Sequence, residues 1–123
     1  GDSLDVYSGN DDQIVPIMSL GGKGVISVLS NLMPKETDMI CKNYLSGKRE
    51  EALDAQLRLL PLIDALFCEV NPIPVKEAMK MIGFDCGGCR LPLTNAGTET
   101  KEVVKTALMQ LNKQKILTEF TFC

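Results

Sequence analysis

The segment GVISV, residues 24–28, most constrains how this chain of 123 residues can fold. It is a continuous, largely apolar and β-branched run that lies between turn signals. Such a run predicts a strand buried on both faces, as in a parallel sheet. Only one other strand is predicted before the helical part of the sequence, over residues 4–9, and two strands alone would leave exposed edges. The chain is therefore expected to be the end of a larger α/β protein.

Helices are predicted over most of the remaining sequence, so that the expected order is β-α-β-α followed by further helices. The first helix follows Asp11 and Asp12 and ends at Gly21-Gly22. Later stretches carry apolar residues at helical spacing. The first runs from Pro34 to Gly47, with a stripe of Thr37, Ile40, Cys41, Tyr44 and Leu45. The others run from Arg49 to Phe67 with Leu53, Leu57 and Leu60, from Val75 to Gly83, and from Glu99 to Asn112 with Val103, Val104, Ala107, Leu108 and Leu111.

Two prolines and the end of the chain modify this prediction. Pro61 is expected to kink the long helix, because it removes a backbone donor and crowds the preceding turn. Pro74 is expected to keep Ile73 extended, since a residue before proline disfavours helix. The segment ILTEFTFC, residues 116–123, alternates weakly and predicts a short strand or disorder.

Composition excludes several classes of protein. The net charge is −3, and the sequence has no basic patch with interleaved aromatic residues, so a nucleic-acid partner is not predicted. No apolar run approaches the roughly 20 residues of a membrane helix, and the polar, acidic N-terminus is unlike a secretory signal. The expectation is a soluble, cytoplasmic protein. The absence of histidine excludes Ser-His-Asp and Cys-His catalysis within these residues.

The cysteines allow more than one interpretation. The chain has five, at positions 41, 68, 86, 89 and 123, and they are expected to be reduced and mostly buried. Cys86 and Cys89 form a C-x-x-C, which can be a redox pair, half of a zinc site or part of a turn. A redox pair is expected at a helix N-terminus, whereas Arg-Leu-Pro-Leu follows here, and a zinc site needs two more ligands. A glycine turn is favoured.

The acidic residues near the first helix and near the middle of the chain also have two interpretations. Asp11 and Asp12 could form a metal or acid–base site, but helix capping explains them more simply. Glu69 is interpreted as a structural residue that fixes a turn between two helices. No metal site is predicted.

Four motifs occur in one order: YSGNDD, GGKGVISVLSN, LFCEVNPIPVKEAM and RLPL. Together they resemble the C-terminal part of the dihydrodipicolinate synthase family, in the Schiff-base aldolase and N-acetylneuraminate lyase superfamily. The resemblance implies an α/β fold, namely the C-terminal fragment of a TIM (β/α)8 barrel that is mostly helical by residue count. Residues 1–47 would form the last two βα units, and residues 48–123 a C-terminal helical extension.

The resemblance also implies a reaction. Family members are lyases that condense pyruvate with aspartate semialdehyde through a lysine Schiff base, in lysine and diaminopimelate biosynthesis, as homotetramers and without a cofactor. Barrel active sites lie at the C-terminal ends of the strands. Gly9 and the main-chain carbonyl of Ile26 would bind substrate. The Schiff-base lysine, the tyrosine and threonine relay and the carboxylate-binding arginine would lie upstream, so the chain alone is expected to be inactive.

Three other interpretations stay open on the sequence. The chain could be a non-catalytic module that associates with itself through its strand edges. It could belong to another member of the superfamily, such as an N-acetylneuraminate lyase-like aldolase. A thiol-based redox protein is the third, and it depends on the C-x-x-C alone.

Overall fold

The computed structural model describes residues 3–113, so the strand or disorder predicted for residues 116–123 lies outside the described part of the chain. The fold divides into two compact units, the first ending at Leu60 and the second beginning at Pro61. The division predicted from sequence, between residues 47 and 48, stays a prediction.

The first unit contains a pair of parallel strands. Strand β1 is Tyr7–Ser8 and β2 is Gly24–Val25, with Tyr7 opposite Gly24 and Ser8 opposite Val25. Helix α1, Ile14–Ser19, lies between them in sequence and packs against both strands and against α2, Pro34–Leu45. The predicted β-α-β-α order and the parallel pairing are therefore confirmed.

The glycine pair after α1 ends that helix as predicted. Gly21 has a φ of +97°, which other residues rarely adopt. At Gly22, an added Cβ would come within 2.7 Å of the Ile17 Cγ2 atom. The chain can therefore fold back closely on α1, and the next residue, Lys23, donates its backbone N–H to the Val6 carbonyl at 2.8 Å.

The predicted extent of both strands is wrong. The predicted strand over residues 24–28 is only Gly24–Val25 here, and the one over residues 4–9 is only Tyr7–Ser8. Ile26 is 75% exposed rather than buried on two faces. The physical reason is local: beyond Val25 the backbone turns into a 3-10 turn, Leu29–Asn31, and β1 is the only strand beside β2 within residues 3–113.

The core of the first unit comes from the helices and the loop after β2. Fully buried apolar side chains pack together there: Ile14, Leu29, Leu32, Met33 and Ile40. Helix α2 begins at Pro34, as predicted, because proline fits a first helical position whose N–H has no partner. Leu45, predicted on the apolar stripe of α2, is exposed.

Helix α3, Arg49–Leu66, continues through Pro61, and the predicted kink stays a prediction. Its predicted apolar face is wrong at two positions, because Leu53 and Leu57 are exposed. The buried residues of α3 are Ala52, Gln56, Leu59, Leu62, Ile63, Ala65 and Leu66. Gln56, like Leu53 and Leu57 a residue of the first unit, bonds to backbone groups after β1, so its side of α3 is buried while the two leucines lie on the exposed side.

In the second unit, α4, Ile73–Met81, packs against α5, Thr98–Lys113. Ile73 is the first residue of α4, so the extended conformation predicted for it is wrong. Pro74 is tolerated because the N–H groups of the first helical turn have no intrahelical acceptor. Helix α5 buries Val104 and Leu108 as predicted, whereas Val103 is 40% exposed.

None of the helices within residues 3–113 combines the length and the apolar character that a bilayer crossing requires.

Candidate functional site

The carboxyl ends of β1 and β2 meet at one edge of the first unit. The Ile26 N–H, just after β2, donates to the Ser8 carbonyl at 2.8 Å. Gly9 follows Ser8 directly, so the two residues predicted to bind substrate come to the same edge. In barrel enzymes this end of the strands carries the active site. The roles of Gly9 and Ile26 in substrate binding stay predictions.

Gly9 and Ile26 both leave this edge open. A Cβ added at Gly9 would meet no atom within 4 Å, and Ile26 is exposed. Main-chain groups here can therefore be approached closely by another molecule. Such groups can orient a ligand by hydrogen bonding, but they supply neither a nucleophile nor a titrating group.

A serine shapes the turn after β1. The Ser8 side chain is buried, and its Oγ donates to the Asn10 carbonyl at 2.7 Å and accepts from the Asn10 N–H at 3.2 Å. These two bonds close the backbone over Gly9, as serine side chains commonly do in turns. The conformation of Gly9 is thereby set by its neighbours.

Asp11 caps a helical turn, but not the one that follows it. Its side chain is 1% exposed, and Oδ2 accepts the N–H groups of Val28 at 2.9 Å and of Leu29 at 3.0 Å. Asp11 is therefore a capping residue, as predicted. The turn that it caps is the 3-10 turn after β2 and not the helix that follows Asp11 in sequence, where the cap was expected. Asp12 has an exposed side chain. Asp11 Oδ1 has no hydrogen-bond partner among the described residues.

Gln56 of α3 holds the segment after β1, and the sequence reasoning missed it. Its Oε1 accepts the Val15 N–H at 2.7 Å, and its Nε2 donates to the Asp12 carbonyl at 2.5 Å and to the Asp11 carbonyl at 3.4 Å. The signal was present: Gln56 lies at helical spacing between Ala52 and Leu59, so it is a polar residue on an apolar stripe.

Glu69 and Thr100 join two parts of the second unit. The Thr100 hydroxyl donates to Glu69 Oε2 at 2.6 Å. The structural role of Glu69 in the turn between α3 and α4 stays a prediction, and its carboxylate accepts a hydrogen bond from the first turn of α5. Within residues 3–113, no three His, Cys, Asp or Glu side chains converge as metal ligands.

The C-x-x-C lies in a loop that a lysine holds from α4. Lys76 Nζ donates to the carbonyls of Cys86 at 3.1 Å and of Gly88 at 2.9 Å. Cys86 is exposed and Cys89 half-buried, and both are free thiols. The next helix begins only at Thr98, so neither thiol has the helix N-terminus that activates redox cysteines. Gly87, with a φ of +73°, supports the glycine-turn interpretation.

The expectation that most cysteines are buried is wrong for the described part of the chain. Cys68 and Cys86 are exposed, and Cys41 and Cys89 are half-buried. Cys68 and Cys86 lie in connections between helices rather than on a packed face, which explains their exposure. Burial, followed by the nearby negative charge of Asp38, raises the pKa of the Cys41 thiol. Cys41 is therefore kept protonated and is a poor nucleophile.

Comparisons with known proteins agree with this geometry. The model of the dihydrodipicolinate synthetase family matches residues 1–111. The 4-hydroxy-tetrahydrodipicolinate synthase of Caldicellulosiruptor bescii is 59% identical over 106 residues, covering 86% of this chain and 36% of that relative. The crystal structure of dihydrodipicolinate synthase from Thermotoga maritima superposes with a TM-score of 0.85 at 42% identity, covering 88% of this chain and 37% of that one.

A synthase characterised as the first monomeric variant gives the same TM-score of 0.85 at 42% identity, covering 88% of this chain and 36% of that one. The chain thus spans little more than a third of the length of the proteins it matches. The family match nevertheless covers all but the last residues of the sequence. The chain belongs to the dihydrodipicolinate synthetase family.

Proposed function

We propose that this chain supplies the last two strands and the helical extension of a (β/α)8-barrel 4-hydroxy-tetrahydrodipicolinate synthase. The whole enzyme is a lyase that condenses pyruvate with aspartate semialdehyde. The observation that supports this most directly is the meeting of Gly9 and Ile26 at the carboxyl ends of parallel strands, in a chain 59% identical to a protein of that name.

The open edge binds pyruvate in this proposal. Gly9 admits the substrate close to the backbone, and the main-chain carbonyl of Ile26 faces it. A lysine amine from outside these residues attacks the pyruvate ketone, and loss of water gives the Schiff base. Because the lysine and the proton relay come from elsewhere, this chain alone does not catalyse the condensation.

A graft tests the proposal. The 106 aligned residues of this chain replace the matching segment of the Caldicellulosiruptor bescii synthase, and condensation of pyruvate with aspartate semialdehyde is measured. Borohydride reduction in the presence of pyruvate, followed by mass spectrometry, detects the Schiff base separately. We expect an active graft and an inactive isolated chain. A graft that folds by circular dichroism yet neither condenses nor traps pyruvate contradicts the proposal.

Gly9 can be tested without disturbing the fold. Because a Cβ at Gly9 meets nothing within 4 Å, Gly9→Ala is expected to leave stability unchanged while raising KM for pyruvate in the graft. Gly97→Ala is the matched control, since its Cβ also meets nothing within 4 Å and it lies in the second unit. Equal KM values for the two variants would remove Gly9 from the pyruvate site.

Self-association is the second candidate function, and exposed apolar side chains around β1 support it. Leu4 is 77% exposed and Leu20 is 85% exposed, with Val6 and Tyr7 about half exposed. Such patches commonly mark association surfaces. For the intact enzyme we propose a homotetramer located in the cytoplasm.

Sedimentation velocity of the isolated chain tests self-association as a function in its own right. A stable oligomer of the isolated chain, together with an inactive graft, favours a non-catalytic module.

A further inference from the structure

Two buried polar side chains connect α3 to both strand ends of the candidate site. Gln56, 3% exposed, bonds to the backbone of Asp11, Asp12 and Val15 after β1. A buried amide that binds backbone groups 41 to 45 residues away fixes that segment, since its loss removes the protein partners of three backbone groups.

The second connection runs from β1 to β2. Asp11 Oδ2 accepts the N–H groups of Val28 and Leu29, which lie 17 and 18 residues farther along the chain. Hydrogen bonds to an ionised acceptor are shorter and stronger than neutral ones. Val28 is two residues after Ile26, so the Asp11 carboxylate holds the chain just beyond the carbonyl that is proposed to face pyruvate.

These bonds form one continuous series. Gln56 holds the backbone of Asp11, and the side chain of Asp11 holds the segment that carries Ile26. The Ile26 N–H is in turn bonded to Ser8 beside Gly9. Three sets of hydrogen bonds therefore restrain the separation between Gly9 and the Ile26 carbonyl: those of Gln56, those of the Asp11 side chain, and the bond between Ile26 and Ser8. Neither Gln56 nor the Asp11 side chain lies on the open edge.

We infer that Gln56 and Asp11 are positioning residues that set the distance between Gly9 and the Ile26 carbonyl for pyruvate. The inference rests on the proposed function, because it names what that edge binds. It assigns a catalytic consequence to α3, a helix outside the predicted barrel units. Misplacing a binding group by about 1 Å can lower a rate by on the order of a hundredfold.

The test uses the graft with Gln56→Met, which keeps the length of the side chain and removes the amide. Gln110→Met is the matched control, since Gln110 is exposed on α5. We expect KM for pyruvate to rise roughly tenfold in Gln56→Met, with KM for aspartate semialdehyde changed less than about twofold, because only the pyruvate edge is displaced. Gln110→Met should match the unmodified graft.

A merely structural role would give a different result. Loss of folded protein lowers the apparent kcat and leaves both KM values unchanged, and that outcome overturns the inference. Where Gln56→Met does not fold, Asp11→Ala replaces it, because alanine removes the acceptor oxygen for Val28 and Leu29. The same selective rise in KM for pyruvate is expected from Asp11→Ala, and its absence there also overturns the inference.

Hydrogen–deuterium exchange separates this inference from the proposed function. In Gln56→Met, peptides that contain Val15 and peptides that contain Val28 and Leu29 should both exchange on the order of tenfold faster. Faster exchange at Val15 alone would show that Gln56 does not influence the segment after β2, and that result would overturn the inference. An unmodified graft that protects both segments but is inactive would contradict the proposed function alone.

Discussion

The hydroxyl of Thr100 donates a 2.6 Å hydrogen bond to Glu69 Oε2, which joins the residues after α3 to the first turn of α5. Thr100 is 8% exposed and Glu69 is half-buried, so the bond is partly shielded from water. Hydrogen bonds of this kind, with an ionised acceptor, contribute about 1.5–3 kcal/mol to stability. The α4–α5 pair of the second unit therefore depends on a polar contact as well as on its apolar faces.

Thr100→Val should lower the free energy of unfolding by about 1.5–3 kcal/mol, because valine keeps the shape but leaves Glu69 without its donor. Urea denaturation measures the change. Thr106→Val is the control, since Thr106 is exposed on the same helix and its replacement should change stability by no more than about 0.5 kcal/mol. Similar losses in the two variants would show that the bond contributes nothing.

Asp11→Ala should destabilise the first unit by about 1–3 kcal/mol, because it leaves the N–H groups of Val28 and Leu29 without an acceptor. Asp12→Ala should have an effect within about 0.5 kcal/mol, since the Asp12 side chain is exposed. Urea midpoints of the two variants give the comparison. The capping role would be refuted by an Asp11→Ala midpoint no lower than that of Asp12→Ala.

Ile26 and Ile40 offer a direct test of the corrected strand. Ile40 is fully buried on α2, and Ile40→Ala should cost about 2–5 kcal/mol through lost burial and a cavity. Ile26→Ala should cost no more than about 0.5 kcal/mol, because the side chain stands in solvent. Thermal unfolding of the isolated chain measures both. A cost at Ile26 comparable to that at Ile40 would restore the buried strand predicted from the sequence.

Features that depend only on residues adjacent in sequence were predicted correctly. Helix α2 begins at Pro34 and α1 ends before Gly21, because proline and glycine restrict or permit particular backbone angles wherever they occur. The pairing of the strands followed from the order of the elements, since strands that alternate with helices pair in parallel. These signals need no knowledge of distant contacts.

The predictions that failed depend on distant contacts. The face of α3 was assigned to Leu53 and Leu57, but the buried amide of Gln56 bonds to residues after β1 and orients the helix. Similarly, Asp11 bonds to donors 17 and 18 residues away rather than to its own helix. The periodicity of apolar side chains indicates that a helix has a buried face, and contacts with residues distant in sequence determine which side of the helix it is.

Cys41 should be the slowest of the described thiols to react with iodoacetamide near pH 8. The thiolate is the reactive form, and burial followed by the negative charge of Asp38 raises the pKa of the Cys41 thiol above its usual value. Cys41 is also less accessible than Cys86, whose side chain is exposed. The alkylation rate of Cys41 should increase as the pH rises, and peptide mass spectrometry after timed alkylation measures it.

Asp38→Asn separates the two causes of this shift. It removes the negative charge near Cys41, and it also frees Lys42, whose Nζ lies 2.6 Å from Asp38 Oδ2. Both changes favour the thiolate, so alkylation of Cys41 should become faster while alkylation of Cys86 stays constant. An unchanged rate at Cys41 would mean that burial alone protects the thiol. Acceleration at both cysteines would instead indicate that the substitution loosens the fold.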